Sequence, residues 1–267
     1  VCLGTGCVAC GSCLIYEEFK KHIKKLRKRK ISILRSGCHG FCERGTIVVI
    51  HPFNIFYQKV ELNDVEEIIK KTVLKGEIIE RLTYKDEKTG KSIPYISDIP
   101  FYKKQHRLVL AYNGMIDPES IGDYISVGGY SALSKVLNEM KPEEVIEIVK
   151  KSGLRGRGGD GFPTGRKWEY CRKAEGYPKY VICNADEGDP GAFMDRSVIE
   201  GNPHSVIEGM IIGAYAIGAE EGYVYIRHEY PLALERLKKA IEQARGYGFL
   251  GENILGSNFS FDIDIIR

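Results

Sequence analysis

The chain has 267 residues, a length that allows one large domain or two of ordinary size. Its hydrophobic fraction of 43% excludes wholesale disorder, and the absence of any apolar run of about eighteen residues excludes a transmembrane helix. The net charge of +3 gives no general indication of nucleic-acid binding, and no secretory signal is visible at Val1. We therefore expect a cytoplasmic globular protein without a nucleic-acid partner.

The N-terminal part of the sequence predicts a small α/β unit. Apolar residues recur at helical spacing over residues 14–30, beneath a basic face formed by the run 20–30. That basic face is either solvated or a docking surface for an acidic partner. Short β-branched segments predict strands over 31–35 and 46–50, and helical spacing returns over 62–74.

The C-terminal part predicts a larger α/β unit, which follows a connecting segment of little periodicity at residues 81–117. A glycine-rich loop covers residues 152–165. The predicted helices cover residues 130–140, 142–151, 205–217 and 232–244. The predicted strands cover residues 179–183, 223–227 and 259–266.

Most of the cysteines are concentrated near the N-terminus. Six of the eight lie within the first 42 residues, at positions Cys2, Cys7, Cys10, Cys13, Cys38 and Cys42. A small secreted scaffold would spread its cysteines through the fold. Their concentration here, in a chain with no visible leader, favours metal ligation.

Two cysteine pairs have the spacing of a four-thiolate site. Cys2 and Cys7 form C-x4-C, and Cys38 and Cys42 form C-x3-C. Soft thiolates suit iron or zinc, and neighbouring glycines allow the main chain to approach the centre. We predict that these four cysteines ligate a [2Fe–2S] cluster, with zinc and structural thiols or disulfides as the alternatives.

Cys10 and Cys13 admit two interpretations. With Cys7 they form C-x2-C-x2-C, the opening of a [4Fe–4S] motif whose fourth ligand would fall at Glu17. The other interpretation, which we favour, makes them small residues at the start of the helix over 14–30.

The glycine-rich loop has the composition of a phosphate-binding site. Its glycines allow the main chain to bend into a nest of N–H groups. The positive charges that would attract the same anion are Arg155, Arg157, Arg166 and Lys167. The flat surfaces for a flavin, nicotinamide or adenine ring are Phe162, Trp168 and Tyr170. The alternative is a flexible surface loop.

A second polar segment, residues 182–196, follows a predicted strand, where α/β sheets bind their ligands. Asn184 offers donors and acceptors to a flavin ring edge. The carboxylates that can accept hydrogen bonds from ribitol or ribose hydroxyls are Asp186, Glu187 and Asp189. These carboxylates could instead bind a divalent metal or cap turns.

These motifs resemble a known family of flavoproteins. The paired cysteines over residues 1–80 resemble the thioredoxin-like [2Fe–2S] ferredoxin domain that accompanies the flavin subunit of NADH dehydrogenases and soluble hydrogenases. The two polar segments resemble the flavin-binding, 51-kilodalton-type subunit of NADH dehydrogenase. Further matching segments at 201–204, 225–231 and 250–256 extend that resemblance over most of residues 118–267.

The resemblance implies a fold and a set of site residues. The fold is α/β: a small thioredoxin-like ferredoxin domain over 1–80, a connecting segment, and an α/β flavin-binding domain over 118–267, with the chain truncated at both ends. The residues implied around FMN are Gly156, Arg157, Gly158, Gly159, Lys167, Asn184, Asp186 and Glu187. Those implied around NAD(P)H are Phe162, Tyr170 and Asp189. Asp160 departs from the family, which commonly has Ala or Gly there, and puts an anion inside the phosphate nest.

The implied function is electron transfer between NAD(P)H, FMN and iron–sulfur clusters, in a diaphorase-type oxidoreductase module. Hydride passes directly to FMN, so no catalytic side chain is expected, and a [4Fe–4S] cluster is expected in the part of the protein outside this sequence. The fused N-terminal domain favours a soluble hydrogenase-type complex, which could be electron-bifurcating. Its implied partners are a hydrogenase-type catalytic subunit and a small [2Fe–2S] subunit, with a ferredoxin as a further candidate. The alternatives are a respiratory-type NADH:quinone oxidoreductase arm and a non-catalytic electron-wiring subunit.

Overall fold

The computed structural model describes residues 1–26 and 31–267. Residues 27–30, which end the predicted N-terminal helix and its basic run, lie outside the described residues. The chain divides into two compact units. The first comprises residues 1–118 with 200–202, and the second comprises residues 119–199 with 203–267. The thioredoxin-like assignment of residues 1–80 and the predicted domain boundaries stay predictions.

The first unit combines short helices with two antiparallel hairpins. Its α-helices are α1 (Thr5–Ala9), α2 (Ser12–Lys25), α3 (Asp64–Glu67, continued as a π-helix over Ile68–Val73) and α4 (Pro100–Lys103). Its hairpins pair β1 (Val48–Ile50) with β2 (Ile55–Tyr57), and β3 (Tyr84–Lys85) with β4 (Ser92–Ile93).

Among the described residues of the first unit, two groups of buried side chains stabilise the fold. In one group, Ile15 and Phe19 of α2 pack with Val65 and Ile68 against the first hairpin. The apolar stripes predicted over 14–30 and 62–74 are therefore confirmed where they are described, except at Leu14, which keeps 63% of its surface accessible. The other group joins two cysteines to aromatic side chains, and its buried members are Cys2, Cys7, Phe41, Ile47, Phe56, Tyr84 and Ile99.

The strand predicted over residues 31–35 is wrong. Ser36, immediately after this segment, forms a single parallel β-bridge with Cys2. Main-chain hydrogen bonds run from Leu3 N–H to the Ser36 carbonyl and from Ser36 N–H to the Val1 carbonyl. This pairing is too short to form a strand, although the β-branched composition of the segment favours one.

The second unit alternates helices with a parallel sheet, which confirms the predicted α/β class. Its helices are α5 (Ile121–Ser126), α6 (Ser131–Glu139), α7 (Pro142–Lys151), α8 (Thr164–Lys173), α9 (Met194–Gly201, whose last two residues belong to the first unit), α10 (Pro203–Ile217) and α11 (Pro231–Gly246). Its strands are β5 (Tyr180–Ala185), β6 (Glu221–Ile226) and β7 (Asp262–Ile266). The sequence did not predict α5, α8 or α9.

The sheet has the order β5-β6-β7, with all three strands parallel. One face is buried, with Val224 and Ile263 inward. The opposite face is exposed, and Ile182 keeps 68% of its surface accessible. Because the strands are parallel, the loops that follow β5 and β6 leave from the same edge of the sheet.

Tertiary packing holds α8 in place. A Cβ on Gly165 would lie 2.6 Å from the main-chain nitrogen of Lys150, so only glycine allows α8 to approach α7 this closely. Among the described residues, the structure contains no helix both long and apolar enough to cross a bilayer.

Candidate functional site

The first candidate site is a row of four thiols in the first unit. The Sγ atoms of Cys38 and Cys42 lie 3.5 Å apart. The Cys2 thiol donates to the Gly37 carbonyl at 3.7 Å and interacts electrostatically with Cys38 and Cys7. The four cysteines predicted as ligands, which are separated by up to forty residues in the sequence, thus form a continuous row from Cys7 through Cys2 and Cys38 to Cys42.

Glycines make room for the main chain around these thiols. A Cβ on Gly6 would lie 3.1 Å from the Cys42 sulfur, and a Cβ on Gly45 would lie 3.1 Å from the Cys7 sulfur. The N–H of Gly40 donates a 3.3 Å hydrogen bond to Cys38 Sγ. Such close main-chain approach, with N–H donation to sulfur, is the environment that iron–sulfur ligation uses.

The thiols shift one another's pKa values. Hydrogen bonding with Cys2, and then with Cys42, lowers the pKa of Cys38 well below its usual range. Hydrogen bonding with Cys2 also lowers the pKa of Cys7, whereas hydrogen bonding with Cys38 and Cys7 raises the pKa of Cys2.

The four thiols do not converge on a single metal-ion site in the described part of the chain. Across residues 1–26 and 31–267, no group of three or more His, Cys, Asp or Glu side chains could hold a metal ion. A [2Fe–2S] cluster takes two thiolates at each of two irons, so its ligands need not meet at one point. Cys10 and Cys13 are both exposed; Cys13 lies in the first turn of α2 and Cys10 at the C-terminal end of α1.

The second candidate site begins with the glycine-rich loop before α8. Main-chain hydrogen bonds close its base, from Gly156 N–H to the Phe162 carbonyl and from Thr164 N–H to the Leu154 carbonyl, each 2.9 Å long. Arg155 Nη1 donates to the Gly161 carbonyl at 3.1 Å. Between these contacts lie Gly158 and Gly159, whose Cβ positions face open space. The part of the loop beyond this closed base, residues 157–161, is open; we call it the crown. Arg157 is exposed on it.

Helix α8 presents two of the predicted contacts on one face. Lys167 and Tyr170 are exposed and three residues apart, a spacing that places them on the same side of a helix. Phe162 is exposed just before the helix. Trp168, proposed from the sequence as a ring-stacking surface, instead packs against a group of buried side chains. A Cβ on Gly213 would lie only 3.2 Å from its ring.

The loop after β5 carries the predicted polar contacts. Asn184 Oδ1 accepts a 3.0 Å hydrogen bond from Asp186 N–H. Glu187 is buried, and its carboxylate accepts hydrogen bonds from the main-chain N–H groups of Met194, Asp195 and Arg196 at the start of α9. A carboxylate at this position satisfies unpaired N–H groups and interacts favourably with the helix dipole. Asp189 is exposed.

Two residues after β6 hold this loop, and the sequence did not identify them as site residues. Arg227 Nη1 donates to the Glu187 carbonyl oxygen at 2.6 Å, and Arg227 Nε lies 3.4 Å from the Asp186 carboxylate. The Tyr230 hydroxyl donates to the same carbonyl at 3.4 Å. The available signal was their position at the carboxyl end of the strand next to β5.

The predicted flavin residues therefore form two groups. One comprises the loop and α8, and the other comprises the loop that follows β5. Across the described residues, no hydrogen bond or ion pair links Lys167 or Tyr170 to Asn184, Asp186 or Glu187. A ligand that used both groups would have to bridge them.

Comparison with known proteins finds a similarity over most of the second unit. Residues 149–266 match the family model described as the Nuo51 FMN-binding domain. The resemblance to the flavin-binding subunit is thereby confirmed, whereas the fusion of an N-terminal [2Fe–2S] domain stays a prediction.

Similar proteins include components of hydrogenases and of NADH dehydrogenases. The chain is 63% identical over 163 residues to the NADP-reducing hydrogenase subunit HndC of Solidesulfovibrio fructosivorans, covering 61% of this chain and 33% of that protein. It is 54% identical over 151 residues to a subunit of the NADH-quinone oxidoreductase of Rhizobium meliloti (strain 1021), covering 57% of this chain and 36% of that protein.

A solved structure of an NAD+-reducing [NiFe]-hydrogenase in the H2-reduced state aligns with a TM-score of 0.45 and 26% identity, over 82% of this chain and 33% of that chain. The chain thus spans about a third of the length of the curated relatives it matches.

Proposed function

We propose that this chain is the flavin- and nicotinamide-binding part of an NAD(P)H-dependent electron-transfer subunit. The observation that carries the proposal is the match of residues 149–266 to an FMN-binding family. The same unit contains the glycine-rich loop and the polar loop that follows β5. FMN, when bound, would exchange a hydride with NAD(P)H and single electrons with iron–sulfur clusters.

The glycine-rich loop would hold the FMN phosphate. The closed base and open crown leave the main chain of Gly156, Gly158 and Gly159 accessible to an anion. Arg157 and Lys167 would add positive charge beside it. Both side chains are exposed, so they can reach a ligand without disturbing the packing of α8.

The remaining predicted residues would orient the two rings. Phe162 and Tyr170 would stack on the nicotinamide nucleotide. Asn184 and Asp186 would bind the flavin, and Asp189 would lie near the ribose or nicotinamide. Glu187 would act mainly by fixing this loop, because its carboxylate is already bonded to the start of α9. These residues bind and orient, and no side-chain acid or base is needed for hydride transfer.

The row of Cys2, Cys7, Cys38 and Cys42 would hold a [2Fe–2S] cluster. The observations that support this are the thiol contacts, the glycines against two of the sulfurs, and the Gly40 N–H donation to Cys38. A cluster there would give the protein a one-electron site in addition to the flavin.

The complex we propose is of the soluble, hydrogenase type, in the cytoplasm. The supporting observation is the 63% identity over 163 residues to a protein named as part of an NADP-reducing hydrogenase. Its partners would be a hydrogenase-type catalytic subunit and a small [2Fe–2S] subunit. The 54% identity to a component of an NADH-quinone oxidoreductase supports the respiratory-type arm as the second candidate.

Flavin retention in the full-length protein, purified in its native complex, tests the proposal. Lys167→Ala should reduce retained FMN or the rate of ferricyanide reduction by NAD(P)H tenfold or more, because a lost charge-assisted hydrogen bond costs about 1.5–3 kcal/mol. The matched control is Lys173→Ala, which removes a lysine from the same helix that pairs with Glu169. Unchanged flavin content and rate in Lys167→Ala would refute the assignment of this site.

A further inference from the structure

Two exposed thiols, those of Cys10 and Cys13, lie where α1 meets α2. Cys10 is the C-terminal cap of α1, and Cys13 lies in the first turn of α2. Neither thiol belongs to the row of four cysteines or to the predicted flavin contacts. With Gly11 and Ser12 between them, they have the C-x2-C spacing that is typical of thiols that exchange with disulfides.

The main chain between the two thiols is tightly turned. Cys10 has φ −88° and ψ 10°, and Gly11 follows in the left-handed region with φ 85° and ψ 16°. Helix α2 then begins at Ser12, and the Leu14 N–H donates a 3.1 Å hydrogen bond to the Gly11 carbonyl. Residues three positions apart across such a turn keep their Cα atoms within about 7 Å, which is the largest separation that a disulfide spans.

The turn is anchored on one side and open on the other. Ser12 is fully buried, and the Gly11 N–H donates a 2.9 Å hydrogen bond to the Val8 carbonyl. A Cβ on Gly11 would meet no atom within 4 Å. Cys10 and Cys13 therefore flank a fixed turn, and their exposed side chains are free to rotate about the Cα–Cβ bond until the two sulfurs meet.

Accessibility separates this pair from the first two cysteines of the row. Cys2 and Cys7 are buried, whereas Cys10 and Cys13 are both exposed. Because thiol–disulfide exchange requires access to the attacking sulfur, a small disulfide in solution can react with both members of the exposed pair.

We propose that Cys10 and Cys13 form a thiol–disulfide exchange site that reacts with low-molecular-weight disulfides of the glutathione class. One cysteine thiolate attacks a sulfur of the small disulfide, forms a mixed disulfide and releases the first small thiol. The other cysteine then attacks the protein sulfur of the mixed disulfide, forms the Cys10–Cys13 bond and releases the second small thiol. The protein thus loses two electrons and two protons, and both small thiols carry them away. The reaction needs neither a bound flavin nor an iron–sulfur cluster, so the inference is independent of the proposed function.

The test uses the full-length protein in its native complex, incubated without oxygen with oxidised glutathione. Remaining thiols are then blocked with N-ethylmaleimide, and the peptides are mapped by mass spectrometry. We expect a disulfide between Cys10 and Cys13 that dithiothreitol removes. Cys10→Ser and Cys13→Ser should each hold one glutathione instead. That glutathione should leave at least tenfold more slowly than it leaves the wild type, because the intramolecular attack is lost.

Cys171→Ser is the matched control, since it removes a half-buried thiol on α8 and should leave the Cys10–Cys13 bond unaffected. A stable glutathione adduct on both cysteines of the wild type, without a bond between them, would overturn the inference. A disulfide from either one to a third cysteine would also overturn it. Protection of both thiols from N-ethylmaleimide that ends on addition of a chelator would show that the pair binds a metal ion instead. The wild-type map decides the question even where a serine variant does not fold.

Discussion

Arg227 Nη1 donates a 2.6 Å hydrogen bond to the main-chain carbonyl oxygen of Glu187, which lies forty residues earlier in the chain. The contact joins the loops that follow two adjacent parallel strands, β5 and β6. It fixes the main chain of the segment that carries Asn184 and Asp186, so Arg227 would position the flavin contacts without touching the flavin.

Arg227→Gln should therefore weaken flavin binding. The charged donor is lost from a partly buried contact, at a cost of about 1.5–3 kcal/mol, and the loop after β5 gains freedom. We expect FMN retention to fall about tenfold, measured by fluorescence of released flavin. Arg245→Gln, which removes an exposed guanidinium paired with Asp262, is the control and should retain FMN. Equal retention in both variants would contradict a positioning role for Arg227.

Glu187→Ala should lower the stability of the protein. The carboxylate accepts hydrogen bonds from N–H groups at the start of α9, and loss of such a cap costs about 0.5–2 kcal/mol. The thermal midpoint should fall, and FMN retention should fall with it. Glu229→Ala, at an exposed carboxylate near Arg227, is the control. An unchanged midpoint together with lost flavin would instead indicate that Glu187 contacts the flavin directly.

Local sequence pattern predicted some elements well and left others hidden. Helices α10 and α11 and strand β6 were predicted because their apolar spacing is long and regular. Helix α8 was missed because its first turn reads as a continuation of the glycine-rich loop, and its position depends on the packing of Gly165 against α7. Such tertiary contacts have no signature in a single sequence.

The same limit applies to the candidate sites. Clustered cysteines and glycines indicated both sites, since these residue types are unusual at such density. The roles of Glu187 and Arg227 depend on hydrogen bonds that form only when the loops after β5 and β6 meet. Residue type alone predicted that the Glu187 carboxylate contacts the flavin. In the structure that carboxylate accepts hydrogen bonds from the start of α9 instead.

Asp160→Ala should strengthen FMN binding. Asp160 is exposed in the crown of the glycine-rich loop, where a carboxylate would repel a flavin phosphate. At an effective dielectric constant of about 20, a repulsion of this kind amounts to about 1 kcal/mol or more, so we expect at least a threefold lower dissociation constant by flavin titration. Glu175→Ala, beyond the end of α8, is the control. Weaker FMN binding in Asp160→Ala would show that the carboxylate takes part in the site.

His204 should make the stability of the second unit depend on pH. Its Nδ1 accepts from the Tyr130 hydroxyl at 2.9 Å, and its Nε2 donates to Gln243 Oε1 at 3.1 Å. Burial lowers the pKa of His204 to about 4. The unfolded chain therefore binds a proton at higher pH than the folded chain does, and stability falls as the pH decreases from about 6.5 to about 4.

The loss attributable to His204 is about 3 kcal/mol over that pH range, since each unit of pKa difference corresponds to about 1.4 kcal/mol. Denaturant unfolding of wild type and His204→Gln at a series of pH values measures it. His204→Gln should be less stable at pH 7, because a packed ring and its hydrogen bonds are lost, but its stability should fall less steeply below pH 6.5. His106→Gln, at an exposed histidine, should follow the wild-type curve. Parallel curves for wild type and His204→Gln would mean that folding does not lower the pKa of His204. The buried neutral ring would then not be the source of acid sensitivity.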